Sequence, residues 1–260
     1  MIIKILMIGD AVRSPGTDYL AGGNLLSRKA REFGADLTIV NGENSADGNG
    51  MTRESAAALF DAGADVITGG NHTHLRSEVY GALDDDPRLL RPANLPGDAP
   101  GVGYGVFDAG DAKVLVVNLM GQIFMDPADS PFGTLARILS RADGTFDVAV
   151  VDFHAEATSE KLALARAFDG KVSVVAGTHT HIPTADCSVL PGGTGYITDL
   201  GMTGSHAGIL GVKSESIIRK LVHRLPSKFE GAVGDERAEG AVFEIDTTTG
   251  RCLSAESVVF

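Results

Sequence analysis

His179 and His181 stand one residue apart in Thr178-His179-Thr180-His181, directly after the apolar run 172–177. Four other apolar runs end in the same manner. Residues 2–9 end at Asp10, and residues 36–40 run into Asn41-Gly42-Glu43-Asn44. Residues 64–70 run into Asn71-His72-Thr73-His74, and residues 146–153 end at His154. All of these clusters are rich in oxygen and nitrogen ligands for metals. In an extended segment, positions i and i+2 point to the same side, so His179 and His181 can present two imidazoles to adjacent ions. Glu43 is the only carboxylate in the clusters at the second and third strand ends, and its two oxygens can bridge two cations. Asn71 offers a neutral amide oxygen and Asp10 a hard anionic one. Nitrogen and oxygen donors without thiolate favour manganese, iron or zinc over zinc–thiolate or copper(I) sites.

Each cluster has a plainer reading when taken alone. Asp10 can be a loop or cap residue, Asn-Gly-Glu-Asn can be turn chemistry, and His154 can be a structural histidine. Their joint position is what carries weight. In open α/β sheets the ligand lies beyond the carboxyl ends of the strands. Five strand ends would gather an Asp, a Glu, two Asn and up to five His around one point, enough for two ions.

The elements that must position these residues are legible in outline. The first half alternates strand and helix patterns: helical character over 17–33, interrupted in composition by Gly22 and Gly23, and a helix after Thr52, a plausible N-cap. Alternation of this kind implies βαβ units and a largely parallel sheet. Residues 87–105 are rich in Pro and Gly and read as a long irregular connection. Strands resume at 104–107 and 114–119, with helices at 132–141 and 159–168, the latter with Ser159 as its expected cap. Late strands at 195–199, 241–245 and 257–260, with a helix at 214–223, suggest a second, partly antiparallel sheet. Two sheets facing each other, with helices outside, accommodate this order.

The chain has 260 residues, 43% of them hydrophobic and 22% charged, ordinary for a globular protein with a substantial core. Its net charge of −12 argues against a surface for long nucleic acid, which would need Lys and Arg to neutralise phosphates. It leaves room for a small phosphate substrate, because bound cations reverse the local field. Cys187 and Cys252 are far apart and form no CxxC pair, as expected in a reducing cytosol. Asp10 and Arg13 interrupt the N-terminal apolar stretch where a secretory cleavage region would fall. No run approaches the ~20 apolar residues of a membrane span. A cytoplasmic protein without membrane association is the expectation.

Gly70-Asn71-His72 and Gly177-Thr178-His179-Thr180-His181-Ile182-Pro183 resemble the Gly-Asn-His and Gly-His-x-His motifs of calcineurin-like metallophosphoesterases. Gly9-Asp10, Asn41-Gly42-Glu43-Asn44-Ser45 and the segment 198–204 resemble the bacterial YmdB-like subfamily of cyclic-nucleotide phosphodiesterases. The resemblance runs over essentially the whole chain. It departs from the broader superfamily at Val12, where a His is usual, and at Glu43, where the bridging residue is usually Asp; both departures suit the subfamily.

The resemblance implies a single α/β domain over 1–260, a four-layer αββα sandwich of two facing mixed β-sheets. It implies a two-metal centre, iron first, manganese next and zinc last. One metal would be held by Asp10, Glu43, Asn44 and His181, the other by Glu43, Asn71, His154 and His179. His72 would be the proton donor. The implied activity is hydrolysis of a 2′,3′-cyclic nucleotide such as 2′,3′-cyclic AMP by a hydroxide between the ions. Two alternatives remain open at this point: a phosphomonoesterase or nucleotidase on the same scaffold, and a regulatory nucleotide-binding protein with secondary hydrolysis. Exposed sheet edges lead us to expect a homo-oligomer. His74, His206 and His223 receive no role.

Overall fold

The computed structural model describes residues 1–260. In chain order its first half comprises β1 (Ile2–Ile8), β2 (Asp10–Ala11), α1 (Arg13–Ala21), α2 (Leu25–Phe33), β3 (Leu37–Asn41), α3 (Arg53–Ala62), β4 (Val66–Thr68) and α4 (Tyr80–Asp85). The middle comprises β5 (Tyr104–Ala109), β6 (Ala112–Met120), α5 (Pro131–Arg141), β7 (Val148–His154), α6 (Thr158–Ala167), β8 (Val174–Thr178), β9 (Ser188–Val189) and β10 (Gly195–Ile197). The chain ends with β11 (Met202–Ser205), α7 (Ser214–His223), β12 (Glu236–Arg237), β13 (Glu239–Asp246) and β14 (Arg251–Val259).

Two mixed sheets result. The first has the order β14-β13-β1-β3-β4 and the second the order β5-β6-β7-β8-β10-β9. Within them, β1, β3 and β4 run parallel, as do β6, β7, β8 and β10. A small sheet, β12-β11-β2, continues the line from Asp10.

Alternation along the strands builds the layers. Ile3, Ile5 and Met7 of β1 point between the sheets and pack with Val114, Val116, Val150 and Val174 of the second sheet. Their neighbours Leu6 and Ile8 face outward onto Leu20, Leu26, Leu59 and Leu83 of α1 to α4. On the far side, Leu115, Val117, Val151 and Val175 face outward onto Leu135, Ile138 and Leu164 of α5 and α6. Strands buried on both faces have to be apolar at every position, which is why these runs show no polar alternation. The outcome is the expected α/β sandwich of two facing mixed sheets with helices outside.

Several expectations need correction. The late strands do not form the second sheet alone: β13 joins β1 antiparallel in the first sheet and β14 pairs with β13, while β10 joins β8 in the second. The helical stretch 17–33 begins earlier, at Arg13, and breaks at Gly22–Asn24, where Gly23 (φ 58°) and Asn24 (φ 54°) turn left-handed. Left-handed residues end helices because they cannot continue the hydrogen-bond ladder. Ser159 does not cap its helix; α6 starts at Thr158 after Ala157, without a side-chain cap. The short helix α4, just ahead of the 87–105 segment, has no side-chain cap that would mark its start in the sequence. Thr52 caps α3 as expected, in a reciprocal pair with Ser55. No helix is long and apolar enough to cross a membrane.

Candidate metal centre

Parallel register lines up the strand ends that bear the candidate ligands. In the first sheet Ile8 pairs with Val40 and Asn41 with Thr68. In the second, Met120, His154 and Thr178 stand abreast. The carboxyl ends of the two sheets meet along one edge, so residues far apart in sequence converge there.

All eight expected site residues are brought together. His154 Nε2 lies 3.2 Å from Glu43 Oε2, 3.0 Å from Asn71 Oδ1 and 3.1 Å from His179 Nδ1. Glu43, His154 and His179 form a compact set of donor atoms, all within 4.8 Å of one another. On the other side, His181 Nε2 is 3.6 Å from Asp10 Oδ1 and 3.5 Å from Asn44 Nδ2. Glu43 stands between the two groups. Its Oε1 receives Asn44 Nδ2 at 2.7 Å, and its Oε2 faces His154. His72 sits at the mouth, with Nδ1 3.2 Å from Glu43 Oε1 and 3.1 Å from Asn44 Oδ1.

The His179–His181 pair works by a route other than the expected one. β8 stops at Thr178, and the two histidines have left-handed backbones, φ 103° and 63°. Non-glycine residues hold such conformations only when their surroundings enforce them. Here the His179 N–H donates to Asp10 Oδ2 at 3.1 Å and the Thr180 N–H to Asp199 Oδ2 at 3.0 Å. The kink sends His179 towards His154 and His181 towards Asp10. Two imidazoles therefore reach neighbouring subsites, but through a kinked loop instead of an extended strand.

Glycine is required at one point in particular. A Cβ on Gly70 would lie 2.2 Å from Glu43 Oε2 and 2.4 Å from His154 Nε2. Only a residue without a side chain lets the Asn71 loop close over the site.

Glu43 and Asp10 are buried yet held in the ionised form. Burial opposes charge on Glu43, but the His154 and His72 imidazoles outweigh it and hold its carboxyl well below the usual range. Burial likewise opposes charge on Asp10, and His181 outweighs it. Burial also disfavours a protonated His154, yet Glu43 and Asp10 raise it to about 9. His179 moves the other way, lowered by burial and by the charge on His154. The two carboxylates thus demand positive charge at this point. Metal cations would supply it, and the donor chemistry suits them: Asp10 Oδ1 is buried with no hydrogen-bond partner.

A supporting layer was not singled out in the sequence. Asp152, buried in β7, accepts from Asn41 Nδ2 at 3.0 Å, from Thr178 Oγ1 at 2.7 Å and from Thr68 Oγ1. Burial pushes its carboxyl up to about 6. Glu156 lies 3.0 Å from His179 Nε2. The available signal for Asp152 was a lone carboxylate inside an otherwise apolar strand, since buried charges are rare without a task. His74 instead holds the Pro100 carbonyl at 3.0 Å, and His206 pairs with Glu239 at 3.3 Å, so neither joins the cluster.

Facing mixed sheets whose joined carboxyl edge pools carboxylate, amide and imidazole donors define a metallophosphoesterase. Within that class, the chain belongs to the YmdB-like family, whose model matches residues 6–258. It is 42% identical over 257 residues to a Bacillus subtilis (strain 168) protein named 2′,3′-cyclic-nucleotide 2′-phosphodiesterase, covering 99% of this chain and 97% of that one. Among solved structures it is similar to a hypothetical protein from Thermus thermophilus, with a TM-score of 0.90, 40% identity and 99% of each chain covered. It is also similar to a structure described as a novel phosphatase from Mycoplasma pneumoniae, with a TM-score of 0.92, 33% identity and coverage of 100% and 94%.

Proposed function

We propose that this protein is a dinuclear metal-dependent phosphodiesterase that hydrolyses 2′,3′-cyclic nucleotides at the P–O2′ bond. The observation that carries this reading is the position of Glu43, whose two oxygens face separate donor groups. Asp10, Asn44 and His181 would hold one cation with Glu43, and Asn71, His154 and His179 the other. Asn44 now turns Nδ2 towards His181 and Glu43, and a flip of that amide puts its oxygen on the metal side. Two bound cations, iron first and manganese next, would supply Lewis-acid stabilisation of phosphoryl charge and a nucleophile made from water at neutral pH. The relative from Bacillus subtilis supports the substrate class and the bond broken.

The chain's own residues do the rest. Glu43 Oε1 anchors the Nδ1 side of the His72 ring, which leaves Nε2 as the free edge. Water adds at phosphorus and gives up a proton, the P–O2′ bond breaks, and O2′ takes a proton from the His72 imidazolium, leaving a 3′-phosphate; the proton given up by water restores His72. General-acid help of this kind is worth about 10²–10⁴-fold. Residues 1–260 act as one domain in this reading, and copies of the chain associate with one another.

Two variants test the assignment together. His72→Ala is expected to keep its metals by elemental analysis while turnover of 2′,3′-cyclic AMP falls about 10²–10⁴-fold. Glu43→Ala is expected to lose metal. A His72→Ala enzyme at wild-type rate, or a Glu43→Ala protein with full metal content, would remove that residue from its role. Parallel assays with a linear diester and a nucleoside monophosphate separate the phosphodiesterase from a monoesterase.

A further inference from the structure

A second cavity, of about 290 Å³, lies away from the metal centre, between α5 and the segment 91–104. Three of its walls are arginines: Arg91, Arg137 and Arg141. No carboxylate lines it. Arg53, Arg88 and Arg237 elsewhere pair with Asp85, Asp86 and Asp235. None of the three cavity arginines has a carboxylate partner.

Each of the three is costly where it stands. Arg91 is only 5% exposed. Its Nε donates to the Gly101 carbonyl at 3.2 Å and its Nη1 to the carbonyls of Pro92 and Leu95, while Nη2 has no protein acceptor. Buried guanidinium groups are rare unless an anion compensates them. Burial is also what lowers the Arg91 pKa, with no opposing charge to raise it. Arg137 and Arg141 are four residues apart on α5, so their like charges share one helix face and destabilise it. In a chain of net charge −12, three unpaired guanidiniums around one cavity are conspicuous.

An anion resolves all three costs. Guanidinium groups bind phosphate through paired N–H donors, in a geometry a point charge cannot match. Thr134 adds a hydroxyl at the wall; its oxygen accepts from Arg137 Nη2 at 3.0 Å, which leaves its hydrogen free to donate. The cavity is near the lower end of the ~300–1,000 Å³ range of ligand pockets, which suits a small anion. None of its lining residues belongs to the metal centre. The two approach each other through Asn118, which bonds to the backbones of Ala93 and Gly103 on one side and of Gly69 on the other.

We infer that this cavity is a separate anion site, built to take a phosphate group through Arg91, Arg137 and Arg141. The source of that group is either inorganic phosphate or a nucleoside monophosphate; Tyr104 at the rim offers a ring to the latter.

The test is isothermal titration of the metal-loaded protein and of R137A/R141A with inorganic phosphate, 3′-AMP and adenosine. Both substituted side chains are exposed on a helix, and Ala favours helix, so the variant folds and its turnover is unchanged. Wild type is expected to bind a phosphate ligand at the metal centre and at one further site. In the variant the further site weakens at least about tenfold, as expected for lost charged hydrogen bonds. Adenosine is expected to bind both proteins alike. Loss of 3′-AMP binding without loss of phosphate binding identifies the nucleotide as the source; loss of both identifies the phosphate group alone. Identical isotherms for both phosphate ligands would overturn the site. An equal loss of adenosine binding would overturn the phosphate as the recognised group.

Discussion

Thr178 has one hydroxyl hydrogen and two demanding neighbours. Its Oγ1 lies 2.7 Å from Asp152 Oδ1 and 2.9 Å from His154 Nδ1. Asp152 can only accept, so the hydroxyl donates to it and must accept from His154 Nδ1–H. That fixes the tautomer. With a cation in place of its second ring proton, His154 Nε2 carries the lone pair, and Nε2 is the atom that meets Glu43, Asn71 and His179. The carboxylate–hydroxyl–imidazole relay thus aims from behind the imidazole proposed as a metal ligand. Thr178→Val keeps the shape of the side chain and removes the relay. Its expected effect is a loss of metal affinity of about 10–100-fold, the usual cost of removing such support. Competition with a graded chelator measures it, and unchanged affinity would show that His154 needs no such orientation.

The next scale joins α6 to the loop after β10. Lys161 Nζ lies 2.7 Å from Asp199 Oδ2, with both side chains fully buried. Asp199 also receives the Thr180 N–H at 3.0 Å and the Gly201 N–H at 2.9 Å, so one carboxylate ties a helix to the histidine loop. Removing one partner of a buried pair strands the other charge. Lys161→Met is expected to lower stability by about 3–5 kcal/mol in denaturant titration, and Lys161→Met with Asp199→Asn to recover part of it. This pairing was invisible in the sequence, where Lys161 sits in a helical stretch and reads as a solvated surface residue. The same holds for the kink at His179 and His181, which Asp10 and Asp199 impose from a distance. By contrast, the five strand ends were legible, because apolar runs stop where ligands begin and both signals are local. Sheet membership was not: β13 reaches β1 only by a pairing across nearly the whole chain, and no local pattern encodes that choice.

At the scale of the molecule, α7 poses a problem that its own chain does not solve. None of its residues is buried. Ile218, Leu221, Val222 and the following Leu225 are 50%, 61%, 66% and 47% exposed. A ten-residue helix is marginal in water by itself and depends on packing along an apolar face. An uncovered apolar surface of this kind marks an interaction site. Charge indicates what covers it. Residues 213–230 carry five Lys and Arg against two Glu, whereas the chain as a whole has a net charge of −12. A basic, apolar helix on an acidic protein is complementary to a second copy of that protein, and complementary potentials steer such encounters. Self-association through α7, more than through open sheet edges, is therefore the expected form of the assembly. Light scattering should give wild type a mass that is a multiple of 27.0 kDa. L221D/V222D places two carboxylates on the apolar face and should return the mass to that of one chain, with the metal content unchanged. A wild-type protein that runs as a single chain at micromolar concentration would contradict this, and so would an L221D/V222D protein that keeps the wild-type mass.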